Sequence, residues 1–222
     1  MIRIPFDLQL LNLCAALLLL LSFAMLAQRR IVIMVNVLAI QGMLLFAATL
    51  LLAWRTGQHH LYLSAALTLA LKVIFLPWIL HRLIRRLQVY WDTEPLLNIS
   101  GTMLVGLVVV VFAFGLAQPI SALASTATRS SIGIAVAVIL LSFITMITRR
   151  KAMSQVVGFL SMENGLFFGA MSATYGMPMI VELGIALDVL IAMLVLGVFF
   201  FQIREQFDNL DLKNFESLKE EP

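Results

Sequence analysis

The chain has 222 residues, of which 62% are hydrophobic and only 12% are charged, and its formal net charge is +3. Soluble proteins average about 45–50% apolar and about 25% charged residues, so the composition excludes an ordinary soluble domain and favours a polytopic membrane protein. The single cysteine, Cys14, excludes an intrachain disulfide and an iron–sulfur cluster held by this chain alone.

Seven apolar runs are long enough, or nearly so, to cross a bilayer as helices of about 20 residues. They cover Pro5–Ala27, Ile31–Trp54, Leu61–Leu80, Gly101–Gln118, Ser131–Ile147, Met153–Thr174 and Pro178–Ile203. We therefore predict an all-α membrane bundle of about seven transmembrane helices. The first run lacks the flanks of a removable signal peptide, so we expect it to remain as a span.

The distribution of lysine and arginine predicts the orientation of the bundle. With seven spans, eleven basic residues fall on one side: Arg29, Arg30, Arg82, Arg85, Arg86, Arg149, Arg150, Lys151, Arg204, Lys213 and Lys219. Only Arg3, Arg55 and Arg129 fall on the other side. We expect the N-terminus outside and the C-terminus in the cytoplasm, since an even number of spans would break this segregation.

The spans divide the chain into four predicted segments: an N-terminal three-helix unit (1–90), a connecting helix with its loops (91–130), a second three-helix unit (131–203) and a polar tail (204–222). The longer loops are predicted at His81–Asn98 and Pro119–Ser130. The first span of each unit ends in an arginine pair, Arg29-Arg30 or Arg149-Arg150. This pattern predicts a parallel repeat, although one so sparse is also compatible with chance.

The sixth span has two different faces. Small residues recur every three or four positions at Gly158, Ser161, Gly165 and Gly169, and such a stripe lets a neighbouring helix approach closely. Glu163 lies about 200° round the helix from Ser161, at roughly 100° per residue, so it points the opposite way. Exposing a carboxylate to lipid is costly in free energy, so we expect this face of the helix to contact protein or internal water.

Three ionisable residues lie near the predicted midplane of the membrane: Lys72, Glu163 and Asp188. Inserting such a residue at the centre of a membrane helix costs about 2.5–3.5 kcal/mol of free energy, so these residues are seldom without a role. Lys72 and Glu163 are closest in depth by the helical rise, and we expect them to be in contact and to form a proton or ion path that continues to Asp188. A buried ion pair that only fixes helix register is the alternative.

Other polar residues have weaker predicted roles. Gln41, in the second span, is a possible secondary member of the path, but such residues more often form interhelical hydrogen bonds. Glu182 is the other secondary candidate, and we expect it near the outer interface. Pro77 predicts a kink in the third span, and Trp78 predicts an anchor at the membrane interface. The sequence has no phosphate-binding loop, catalytic triad or metal-ligand spacing, so we expect no catalysis by this chain alone.

Several of these features resemble one known family. The segments Arg149-Arg-Lys151, Gly158 to Gly165, Glu182-Leu-Gly184 and Asn209 to Asn214, together with Asp188, resemble the E component of hydrogenase-4-type, formate-hydrogenlyase-like complexes. Lys72, followed by an apolar stretch with Pro77, is similar to that family's third span. The final third of the chain is also similar to the K subunit of bacterial complex I and the C subunit of Mrp-type antiporters.

The resemblance implies a subunit of a membrane-bound [NiFe] hydrogenase complex in a bacterial or archaeal cell membrane. Its partners would be antiporter-like membrane subunits and a peripheral hydrogenase module, and they would carry the nickel–iron centre and the iron–sulfur clusters. Glu163 and Asp188 resemble the two membrane glutamates of the K subunit that carry protons. We expect membrane lipid around this chain and no nucleic acid partner.

Three functions therefore remain open at the level of sequence. The first is a non-catalytic subunit of a redox-driven, proton-translocating complex. The second is a subunit of a cation/proton antiporter without a hydrogenase. The third is an assembly subunit whose buried charges only fix the positions of its helices.

Overall fold

The computed structural model describes residues 6–87, 98–123 and 129–174, and all regular structure within these ranges is helical. The elements are α1 (Phe6–Ala27), α2 (Ile31–Thr56), α3 (His59–Thr68), a π-helical segment (Leu69–Phe75), α4 (Leu76–Leu87), α5 (Ile99–Leu123), α6 (Arg129–Thr148) and α7 (Ala152–Thr174). The π segment joins α3 to α4 without a break.

Six helical stretches in the described ranges are long and apolar enough to cross a membrane, with α3, the π segment and α4 counted as one. They correspond to the first six predicted spans, so the all-α, membrane-type architecture is confirmed. The seventh predicted span, Pro178–Ile203, lies outside the described residues, as do Glu182 and Asp188.

The two predicted long loops begin too early. Helix α4 continues to Leu87 and helix α5 to Leu123, so the first residues of both predicted loops are helical. The end of α4 is amphipathic, with Leu83 and Ile84 buried and Arg82 exposed, and such a segment can stay helical after its apolar run has ended. Helix α5 contains Pro119 near its end, where one missing backbone donor is tolerated.

The irregularity in the third span lies before Pro77 and takes the form of the π segment. The backbone N–H of Leu76 donates to the carbonyl of Leu71, five residues earlier. Pro77 has no N–H to donate to Val73, and its ring conflicts with that carbonyl in an α-helix. The α-helical register is therefore disfavoured in this turn, and Lys72 lies within the resulting π segment.

Within the described residues, the core consists of two apolar clusters at different depths of the bundle. The first cluster contains Met25 of α1, the start of α2 up to Leu38, the buried side of α4, and α7 up to Leu160. The second contains Cys14 to Leu18 of α1, Leu45 to Ala53 of α2, Leu61, part of α6, and Phe167 to Met171 of α7. On α1, α2 and α7, a short gap separates the two clusters.

Buried polar residues fill that gap. They include Ser22 on α1, Gln41 on α2, Lys72 on the π segment, and Glu163 and Asn164 on α7. Helices α2 and α7 pack against each other, and α2 also packs on the π segment. This packing brings polar residues that are far apart in sequence into one layer between two apolar layers.

Candidate functional site

The centre of the polar layer is an ion pair between Lys72 and Glu163. The Nζ atom of Lys72 lies 2.6 Å from Oε1 of Glu163, and the two side chains are only 3% and 2% exposed. The structure thus places in contact the two residues whose depths matched in the sequence. Each charge offsets the desolvation cost of the other, which amounts to several kcal/mol per ion inside a protein.

The pair continues into a chain of hydrogen bonds that reaches two more helices, α2 and α1. The ammonium of Lys72 also donates to Oδ1 of Asn164, at 3.0 Å. The Asn164 amide donates to Oε1 of Gln41 at 3.4 Å, and Gln41 donates to the Ser22 hydroxyl at 3.1 Å. Ser22 in turn donates to the carbonyl of Leu18 at 2.9 Å. A continuous polar chain therefore runs from α7 and the π segment across α2 to α1.

Two apolar features position the ammonium group. The ring centroid of Phe167 lies 5.2 Å from Nζ of Lys72, within the range of a cation–π contact. On the other side, Gly42 of α2 allows close approach of the π segment, since a Cβ at this position would lie 3.1 Å from the Cβ of Lys72 and 3.2 Å from its carbonyl carbon. The absence of a side chain at Gly42 is therefore part of the site.

The opposite face of α7 packs on α6. A Cβ at Gly158 would lie 2.8 Å from Cγ of Met146, and one at Gly165 would lie 2.9 Å from Cγ1 of Val138. Gly169 is similarly close to α6, and Ser161 accepts a hydrogen bond of 2.8 Å from Ser142. In the structure, the neighbour that approaches the small-residue stripe is thus α6, while Glu163 is directed to the π segment.

Sequence reasoning gave no role to Asn164 or Ser22, although both belong to the polar chain. Asn164 directly follows Glu163, and one residue along a helix turns by about 100°, so the two side chains can reach the same ammonium. Ser22 interrupts an otherwise apolar stretch of α1. A polar residue in an apolar helix could have been noted from the sequence, but the partner of Ser22 on α2 depends on how the helices pack. Gln41, a secondary candidate from sequence, bonds both of them.

Among the residues that the structure describes, the site contains one carboxylate, one ammonium and neutral hydrogen-bonding groups. In the described ranges, no group of three or more His, Cys, Asp or Glu residues could hold a metal ion. A carboxylate and an ammonium can each hold or release a proton, whereas the amides and hydroxyls can orient these groups and bridge between them. The groups of this arrangement that could exchange a proton are therefore the Lys72 ammonium and the Glu163 carboxylate.

Comparison with known proteins identifies relatives of two kinds. The chain is 35% identical over 187 residues to the protein named "Uncharacterized protein Rv0085" of Mycobacterium tuberculosis. The aligned residues make up 84% of this chain and 85% of that protein. It is 26% identical over 175 residues to hydrogenase-4 component E of Escherichia coli (strain K12) and of Shigella flexneri, over 79% of this chain and 76% of theirs.

No family model and no solved structure matches the chain. The level of identity to Rv0085 over most of both proteins shows common descent, and the match to hydrogenase-4 component E is a more distant homology. The chain therefore belongs to the same family as the Mycobacterium tuberculosis protein Rv0085, and hydrogenase-4 component E is its distant relative.

Proposed function

We propose that this chain is a non-catalytic membrane subunit of a hydrogenase-4-like complex and that its buried charges lie on a path for protons or other cations. The observation that carries the proposal is the Lys72–Glu163 pair, buried at the level of the polar layer and extended by Asn164 and Gln41. The distant homology to hydrogenase-4 component E supplies the type of complex.

Glu163 would act as the first proton carrier and Lys72 as its partner. A proton that reaches Glu163 neutralises the carboxylate and weakens its attraction for the ammonium. The ammonium is then no longer held by a carboxylate charge and can pass a proton to a base further along the membrane. Asp188 is the proposed next carrier. The amides of Asn164 and Gln41 keep the pair oriented but do not themselves carry a net charge.

The redox chemistry would belong to partner subunits. A [NiFe] centre and iron–sulfur clusters in a peripheral hydrogenase module would drive the charge movement, and antiporter-like membrane subunits would lie beside this chain. The proposed location is the bacterial or archaeal cell membrane, with the N-terminus outside. Six membrane-length helices in the described part support the membrane location.

A structural role for the pair is the competing function. A buried ion pair can fix the relative positions of α7 and the π segment without moving any charge. The same geometry would arise in either case. The two roles can therefore be distinguished only by measuring the function of a variant that lacks the charge.

The test is the Glu163→Gln variant in the intact complex. Glutamine keeps the size and a hydrogen bond to Lys72 but cannot take up a proton at neutral pH. We expect the complex to assemble and proton translocation per redox turnover to fall by roughly tenfold or more, since a positioned proton-transfer group typically contributes about 10²–10⁴-fold to a rate.

Ser161→Ala is the matched control, because Ser161 is equally buried on the same helix but faces α6. We expect it to assemble and to translocate protons normally. An assembled Glu163→Gln complex that translocates at the control rate would remove Glu163 from the path and leave the structural role.

A further inference from the structure

The buried residues of the third span differ in polarity on the two sides of Lys72. Toward α4, its buried residues are all apolar: Leu76, Pro77, Ile79, Leu80, Leu83 and Ile84. Toward α3, Ser64 and Thr68 are buried, with only 1% and 2% of their surface exposed. The polar side chains near Lys72 on this span therefore lie on one side of it only.

Ser64 and Thr68 lie on the same helix face as Lys72. The three positions follow each other at intervals of four residues, which repeat on one face of a helix. His60 lies one further turn from Ser64, near the start of α3, and it is partly exposed. With a rise of about 1.5 Å per residue, Ser64 is about 12 Å from Lys72 along the axis, and His60 is about 18 Å away.

The hydroxyl of Ser64, like that of Ser154, differs from most buried hydroxyls in the described part of the bundle. The usual partner of such a group is the backbone carbonyl four residues earlier, as for Ser22, Thr49 and Thr145. Ser64 Oγ is buried and has no hydrogen-bond partner within the described part of the chain. A buried hydroxyl in this situation is normally satisfied by water where the site is polar and has room for a water molecule.

We propose that Ser64 and Thr68 line a hydrated access route between Lys72 and the membrane surface at the His59 end of α3. This inference rests on the proposed function, because the route would connect the proposed charge path to one side of the membrane. In the proposed orientation that side is the outside of the cell. Water on the Ser64 face carries protons to or from Lys72, while the buried apolar side chains of α4 exclude water from the other side of it.

Cysteine labelling tests the route directly, because Cys14 is the only native cysteine. In a Cys14→Ala background, Ser64→Cys and Thr68→Cys are introduced into the full chain within its complex in sealed membrane vesicles. The control is Ala65→Cys, since Ala65 is also buried, at 1% exposure, but lies on a different face of the same turn. A small cationic methanethiosulfonate reagent is added from either side of the membrane.

We expect Ser64→Cys and Thr68→Cys to react roughly tenfold faster than Ala65→Cys from the His59 side, because only a thiol that contacts water forms the reactive thiolate. We expect no comparable reaction from the α4 side. Equal rates for all three variants, or equal rates from both sides, would overturn the proposal.

A second variant tests whether the route passes Ser64. Thr68 lies deeper than Ser64, so Ser64→Leu should fill the route and slow the labelling of Thr68→Cys to the rate of the Ala65→Cys control. Unchanged labelling in an assembled complex would exclude Ser64 from the route. Because labelling measures access and not pumping, fast labelling together with normal pumping by Glu163→Gln would leave the route standing and reject the proposed function.

Discussion

At the scale of single residues, Lys72 and Glu163 depend on each other. Both are almost completely buried, and their charges face each other at 2.6 Å in a setting that is apolar above and below. Removal of one partner leaves a buried charge, which is far more costly than removal of both. The stability of the bundle therefore depends on whether the charges are balanced.

We predict that Lys72→Met lowers the free energy of unfolding by about 3–5 kcal/mol, because it leaves the Glu163 carboxylate without its ammonium partner. The double variant Lys72→Met/Glu163→Gln should recover most of this loss. Reversible unfolding of the purified chain in mixed micelles measures both values. A double variant that is no more stable than Lys72→Met would show that charge balance does not determine stability here.

Gly42 gives a second prediction at this scale. In Gly42→Ala, the new Cβ would lie 3.1–3.2 Å from the Cβ, carbonyl carbon and carbonyl oxygen of Lys72, so the backbone of the π segment must shift. We expect a loss of stability of about 1–3 kcal/mol, as for other overpacked sites, and reduced proton translocation.

Gly115→Ala, on α5, is the matched control for Gly42→Ala, because nothing lies within 4 Å of a Cβ at Gly115. It should be neutral or slightly stabilising, since alanine is the better helix former. Similar stability for the two variants would mean that the close contact at Gly42 is not required.

At the scale of elements, the positions of the six described spans were predictable, but the details of the site were not. Runs of apolar residues defined α1, α2, α5, α6 and α7 to within a few residues. The π segment was not predicted, because Pro77 indicates a disturbed turn without specifying whether the helix bends or takes in an extra residue.

Part of the site was predictable from depth alone. The helical rise placed Lys72 and Glu163 at similar levels, and their contact follows if the two helices are neighbours. The bonds of Asn164 to Gln41 and of Gln41 to Ser22 depend on the order and rotation of three helices. Sequence spacing contains no direct information on that order.

Helix α7 has a packing face and a charged face, and this division is testable. In Gly165→Ala, the new Cβ would lie 2.9 Å from Cγ1 of Val138 and 3.2 Å from the backbone nitrogen of Ile139. We predict a loss of about 1–3 kcal/mol in the free energy of unfolding, because α6 must move away from α7.

The control for Gly165→Ala is Gly101→Ala on α5, where a Cβ would have open space. Its unfolding free energy should equal or exceed that of the parent chain. If Gly165→Ala unfolded at the same denaturant concentration as this control, the close packing of α6 on α7 would not contribute to stability.

At the scale of the whole molecule, the helix pairs α1–α2 and α6–α7 share a motif. Leu20-Leu21-Ser22-Phe23 recurs as Leu140-Leu141-Ser142-Phe143, and an arginine pair follows both at the same distance. Ser22 and Ser142 each hydrogen-bond a partner 19 residues later on the next helix, Gln41 and Ser161. These shared features favour the parallel-repeat hypothesis, with both arginine pairs on one side of the membrane.

The proposed orientation gives a prediction for the whole chain. In the Cys14→Ala background, His59→Cys should react with an impermeant thiol reagent added outside the cell, because it is the first residue of α3, at the end of the bundle opposite the arginine pairs. Arg150→Cys should react only after the cytoplasmic side is exposed, in accordance with the bias of basic residues. The reverse pattern would show that the chain inserts with its N-terminus in the cytoplasm.

The central claim is that the buried pair moves charge and does not merely fix helices. The most direct measurement is proton translocation per redox turnover by the complex that carries Lys72→Met/Glu163→Gln, reconstituted into sealed vesicles. This variant removes both charges together, so the folded complex should be retained. The account predicts normal assembly and a roughly tenfold or greater loss of translocation. Normal assembly with translocation equal to that of the parent complex would contradict it.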